Sequence, residues 1–240
     1  MKLSYFDLIS PCPIHVSGVG DIFSPTLRRI AQIGAETYNL YLSLLLADEK
    51  TLFSDDAMTD FLKNALAFFF KEEIFYYSDE RCFVVTNNAA SVITDIEALS
   101  GGRKLSDTDI VGVITGDNFS QICDLILQLN NIKRRDEDIS KVKNKKALDI
   151  LKKIQKGRAE RQKNKKADKN MEIANIISAV ANRHPSLNMI NIWDLTIYQL
   201  WDAFARLSNN SIYDIQSMSV AAWGDKDNHF DAAAWFKRIE

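Results

Sequence analysis

Along most of the chain, apolar residues recur at intervals of three and four, the spacing that places side chains on one face of a helix. Leu27, Ile30, Ile33, Tyr38, Tyr41, Leu42 and Leu45 form one such stripe, predicting a helix from about Pro25 to Leu46. Ser24 before Pro25 reads as an N-cap followed by proline at the first helical position. A second helix, capped near Ser54 or Asp55, carries Met58, Phe61, Leu62, Leu66, Phe68, Phe69 and Phe70. The pattern then changes. Ile74 to Tyr77 and Cys82 to Val85 are rich in aromatic and β-branched residues around a polar Ser78-Asp79-Glu80-Arg81, which predicts a hairpin within Glu73–Thr86. A helix over Ala89–Leu99, a turn at Gly101-Gly102 and a short strand at Ile110–Thr115 follow. Asp117 or Asn118 then caps a helix through Ile122, Leu125, Ile126 and Leu129. The first twenty-odd residues, with Pro11, Pro13, Gly18 and Gly20, read as loop or edge strand.

From Asn131 the apolar stripe thins to Ile139, Val142, Leu148, Leu151 and Ile154, and beyond Ile154 only alanine remains. An unbroken helix over this stretch would reach about 60 Å. Gly157 weakens it by roughly 1 kcal/mol relative to alanine, so the segment reads as an exposed helix passing into a polar linker. Order resumes at Met171. A helix through Ile173, Ile176, Ile177 and Val180 stops at His184-Pro185. A second runs from Trp193 to Leu207 and breaks at Asn209-Asn210, a third spans Ile212–Trp223 and ends at Gly224, and Asp231 caps a last one. All four tryptophans lie after residue 190, which predicts a separate small core there. The fold expected is mainly α. Residues 1–130 form a globular helical part with a small β-hairpin, 131–170 a long basic helix or linker, and 171–240 a small Trp-rich helical domain.

Composition adds less. The chain is 46% hydrophobic and 26% charged, as ordinary soluble domains are, which excludes a disordered or collagenous chain. With 9 Gly and 4 Pro, it lacks the turns of an all-β sandwich or barrel. Charge changes the picture more. The net of −2 conceals a segregation: residues 131–170 hold 16 Lys and Arg against 6 Asp and Glu, leaving 14 against 26 elsewhere. Lys141, Lys143, Lys145, Lys146, Lys152 and Lys153 are therefore candidate partner-binding residues. They suit an acidic protein surface, the chain's own or a sister subunit's. Nucleic acid is not expected, because no aromatics interleave with the lysines to stack bases.

Catalytic chemistry is not legible. Cys12, Cys82 and Cys123 are widely spaced, and no Cys-x-x-Cys or His-x-x-x-His occurs, so no metal site, disulfide framework or cofactor is expected. Gly18-Val-Gly20 has Phe23 where a dinucleotide turn needs its third glycine, and Gly101-Gly102-Arg103-Lys104 lacks P-loop spacing. Asp55/Asp56 and Glu72/Glu73 are sequence neighbours, which do not share a helix face. Phe68, Phe69, Phe70, Tyr76 and Tyr77 are either core or an apolar partner groove. The N-terminus lacks a signal-peptide pattern and no apolar run approaches a membrane span, which together lead one to expect a cytoplasmic protein.

The segments GVGDIFSPTLRRIAQIGAETYNLYLSLLL and NIWDLTIYQLWDAFARL resemble tail assembly chaperones from the tail gene clusters of phages and prophages of Gram-positive bacteria. The likeness rests on Gly18, Gly20, Ser24-Pro25-Thr26-Leu27, Tyr38 and Tyr41, and on Ile192-Trp193, Leu195-Thr196, Tyr198-Gln199-Leu200 and Phe204. It implies a non-enzymatic morphogenesis factor in the host cytoplasm that binds the tape-measure protein and tail tube subunits. Alternatives are a structural virion component, such as a baseplate or connector subunit, and a phage nucleic-acid-binding protein acting through the basic segment.

Overall fold

The computed structural model describes residues 1–47, 56–78, 80–87, 110–132, 168–226 and 228–238. The expected helix at 89–99, the turn at 101–102 and almost all of the basic segment, with Lys141, Lys143, Lys145, Lys146, Lys152 and Lys153, lie outside these residues.

The described residues are mainly helical with two small antiparallel sheets, as the spacing predicts. The N-terminus departs from expectation. Instead of extended chain it opens with a short helix, α1 (Tyr5–Ile9), held by a capping box in which Ser4 and Asp7 bond each other's backbone amides. Strands β1 (Ile14–Val16) and β2 (Gly20–Ile22) then pair.

The single helix expected over 25–46 is two: α2 (Leu27–Ile33) and α3 (Ala35–Leu46). Gly34, at φ 83° and ψ 150°, separates them in a backbone conformation that interrupts the helix and that glycine tolerates best. The cap of α2 is Thr26, whose hydroxyl accepts from the Arg29 amide; Ser24 is buried and donates to the Leu129 carbonyl at 3.0 Å. Helix α4 (Asp56–Phe69) leads into the hairpin β3 (Glu73–Tyr77) and β4 (Cys82–Thr86), where expected. Strand β5 (Ile110–Ile114) adds to β4 antiparallel, giving the order β3-β4-β5. Helix α5 (Gly116–Leu129) is capped by Thr115, and Asn118 is the reciprocal member of its capping box rather than the cap.

Helix α6 (Ile173–Arg183) stops at His184 as expected. Helix α7 (Ile197–Trp223) does not break at Asn209-Asn210: it runs for 27 residues to Gly224, about 40 Å. Asparagine costs a helix only tenths of a kcal/mol, and Asn209 recovers a bond by donating to the Ala234 carbonyl at 2.9 Å. The expected last helix is a single 3-10 turn, Ala234–Phe236.

Among the described residues the tryptophans build no separate core. Ile176, Ile177, Val180, Ile192, Ile197 and Leu200 are buried in the same cluster as Leu27, Ile30, Leu45, Leu66, Phe69 and Leu125. Trp193 and Trp201 pack half-buried against that cluster, whereas Trp223 and Trp235 are exposed. The segments expected in different domains meet through backbone. Leu27 donates to the Leu195 carbonyl and Ile197 to the Pro25 carbonyl, both at 2.9 Å, a two-residue antiparallel bridge between Thr26 and Thr196. Both threonines are N-caps, so each helix start satisfies the first free amide of the other.

Candidate functional site

Five aromatics read as a candidate apolar groove are distributed otherwise. Phe68, Phe69 and Phe70 are buried in the core at the end of α4. Phe68 meets Phe69 edge-on at 5.0 Å and Tyr38 at 6.3 Å, and Arg29 lies over its ring at 5.1 Å. In the folded chain these three are core and offer no groove to a partner. Tyr76 and Tyr77 are half-buried on β3. Adjacent strand residues point to opposite faces: Tyr76 packs against Phe83 and the main core, Tyr77 against Cys82 and Val84.

The polar groups that come together are mostly structural. Tyr38 donates to Asn130 Oδ1 at 2.7 Å, and Asn130 donates to the Ile126 carbonyl at 2.6 Å, both inside the core. Burial pushes the Tyr38 phenol well above its ordinary range. Tyr5 donates to Asp202 at 2.7 Å and Arg206 donates to Tyr5, tying α1 to α7. His15 Nδ1 lies 2.8 Å from Asp21 on the exposed hairpin. Cys82 is buried, and that burial, with Glu80 second, pushes its thiol up, away from the reactive thiolate. Among the described residues no group of three or more His, Cys, Asp or Glu could hold a metal, and no helix is long and apolar enough to cross a membrane.

What the structure does build is an apolar face on α7. The first half of this helix packs on the core through Ile197 and Leu200 and against α6. Beyond it an open groove of about 450 Å³ runs between α6 (Ala179, Val180, Arg183) and α7 (Phe204, Leu207, Ile212, Ile215), with Ser208 and Ser211 between them. Arg183 donates to Ser211 Oγ at 2.6 Å. Ile215, in the groove wall, is 66% exposed; the face continues past the groove with Met218, 64% exposed, and Trp223 at 81% stands at its edge. On the opposite side of α7 the C-terminal segment folds back: Tyr213 stacks near Phe230 at 5.6 Å, and Arg206 donates to the Lys237 carbonyl at 2.7 Å. One side of the helix is thus covered by the C-terminal segment, and among the described residues nothing covers the side bearing Ile212, Ile215 and Met218.

Apolar spacing alone does not distinguish this face, because Ile212–Trp223 reads as one more packed helix. Its signal was available in the charge. From Ser208 to Trp223 the only charged residue is Asp214, whereas a helix end projecting into water ordinarily carries several. Single exposed apolar residues mean nothing, but a contiguous set marks an interaction site.

Comparison with known proteins bears on the same region. No curated protein and no solved structure matches the chain. Residues 162–240 match the family model described as YomV second domain, a phage-associated family linked to a Bacillus prophage. Both walls of the groove lie within the matched residues, so the part of this chain that presents the apolar face is the part similar to a phage-associated domain.

Proposed function

We propose that this chain is a non-enzymatic phage tail morphogenesis protein, a chaperone that binds the tape-measure protein while the tail is assembled. The observation that carries this reading is the uncovered apolar face of α7 with its groove against α6, lying inside the region similar to a phage-associated domain. A tape-measure chain exposes long apolar helical stripes until tube subunits enclose it, and an open groove between two helices accepts such a stripe at helical spacing. The resemblance of residues 18–46 and 191–207 to tail assembly chaperones supports the same reading. The chain acts by binding, in the host cytoplasm, without a cofactor.

The test is capture. The full chain, expressed with the proteins encoded beside it, should co-purify with the tape-measure protein, and Ile215→Glu should abolish capture while leaving the circular dichroism spectrum unchanged. The chain should be absent from purified virions. Stoichiometric presence in virions would make it a structural subunit instead, and undiminished capture by Ile215→Glu would remove α7 from the binding surface.

A further inference from the structure

We infer that, in the absence of a client, the uncovered half of α7 pairs antiparallel with the same half of α7 in a second copy of this chain. The inference rests on reading this face as protein-binding, and it names what occupies the face in the free protein.

Self-complementarity is the first argument. The ridge and the groove are built by one helix on one face: Ile215 stands at one end of the groove that Leu207, Ser208 and Ser211 help to line, and Met218 protrudes beyond it. An antiparallel two-fold axis passing α7 between Ile212 and Tyr213 sets residue 218 of one copy level with residue 207 of the other, so each ridge enters the other's groove. Ser208 and Ser211 are small enough to let the backbones approach. Arg183, the last residue of α6, reaches α7 at Ser211. The second copy's α6 would therefore lie over the half of α7 that the first copy's own α6 leaves bare.

Charge is the second argument. Among the described residues Arg183 is the only charged one lining the groove, and Asp214 is the only charged residue in the second half of α7. In this register Asp214 of one copy stands level with Ser211 of the other, hence beside its Arg183, and on the same side of the pair. A parallel pairing would set the two on opposite sides. Antiparallel helices also oppose their dipoles favourably. Apolar side chains at the face centre with two symmetry-related ion pairs at the rim are the arrangement of a specific interface. The area is small: the exposed parts of Ile212, Ile215 and Met218 with the open groove, taken over two copies, fall below the about 1,200 Å² at which stable specific complexes begin. The pair should accordingly be reversible and concentration-dependent, which leaves the face open to a client.

Sedimentation equilibrium of the full chain across the micromolar range tests this. The expected result is a mass rising from one chain to two, with Met218→Lys held at one chain and its helix content unchanged. Arg183→Asp and Asp214→Arg should each raise the dissociation constant about tenfold or more, and the double exchange should restore it. A single-chain mass throughout, a two-chain mass indifferent to Met218→Lys, or a double exchange that restores nothing would overturn the pairing. If Met218→Lys does not fold, the charge exchange decides alone, since both residues lie at the surface. Binding of a tape-measure helix peptide is read on the same samples. Peptide capture by a chain that stays single sinks the pairing and spares the proposed function; pairing without peptide capture does the reverse.

Discussion

Gly112 on β5 lies beneath the Gly18 turn, and Val113 donates to the Gly18 carbonyl at 3.0 Å. A Cβ at residue 112 would overlap the Gly18 carbonyl and come within 2.5 Å of Val19 Cα, backbone atoms that cannot turn aside. Gly112→Ala is expected to cost about 1–3 kcal/mol, as overpacking does, measured by urea unfolding. Tyr38 gives a second prediction. Tyr38→Phe strands the buried Asn130 oxygen, at a cost of about 1–3 kcal/mol. The pH dependence follows from the direction of its shift. Since the folded phenol titrates well above the unfolded one, the unfolded chain loses this proton first as pH rises, and stability falls above the ordinary tyrosine pKa of about 10. The contribution is intact at neutral pH and lost under alkali. The decline of stability above that pH should be shallower in Tyr38→Phe, and an identical decline in both proteins would refute the assignment.

At the scale of elements, helix starts carry an unusual share of the architecture. Thr26 and Thr196 each cap a helix and face each other across the backbone bridge. Thr196 also forms a capping box with Gln199, whose amide nitrogen donates onward to the Ile9 carbonyl at 2.9 Å. Thr196→Ala should therefore cost about 1–2 kcal/mol, the upper part of the range for a lost cap, read from thermal or urea melts. A loss below a few tenths would mean that the backbone bridge alone holds the junction. The second half of α7 behaves differently. Its exposed residues contribute little to the core, so Met218→Lys and Ile215→Glu should shift stability by no more than about 0.5 kcal/mol while changing association.

At the scale of the molecule, residues 168–238 share a core with residues 1–132, although the most basic and lysine-rich stretch lies between them. Trypsin finds its densest sites in that stretch and should cut there first, releasing a fragment that begins near Met171. The structure adds that the two pieces should remain together after the cut, held by Leu27, Ile30, Ile197 and Leu200 and by the Thr26–Thr196 bridge. They should co-elute in gel filtration and part only in denaturant; immediate separation would mean that the shared core is too weak to hold them. The basic stretch bears on partners as well. Acidic residues outnumber basic ones by 26 to 14 in the rest of the chain, enough to satisfy it without nucleic acid. DNA binding should be weak and gone by physiological salt, since contacts to about 6–10 phosphates would lose some 10³–10⁵ in affinity between 50 and 200 mM. Tight binding at the higher salt would promote the nucleic-acid alternative.

Sequence by itself determined what is local. The 3.6-residue spacing placed α4, α5 and α6, the β-branched and aromatic runs placed β3, β4 and β5, and His184-Pro185 ended α6, because each depends on residues a few positions apart. Reciprocal caps were legible in principle: Ser4 with Asp7, and Thr115 with Asn118, are pairs three residues apart. Tertiary structure decided everything that requires distant residues to meet. Whether Phe68 is core or surface depends on Tyr38 and Arg29. Whether Asn209-Asn210 ends a helix depends on a carbonyl at Ala234. That the Trp-rich end shares the main core, rather than building its own, depends on two threonine caps lying 170 positions apart in the chain and meeting through four backbone groups. The apolar face of α7 belongs with these. Its residues are plain in the sequence, but a stripe reads the same whether it is covered or bare, and only the position of α6 and of the C-terminal segment determines which.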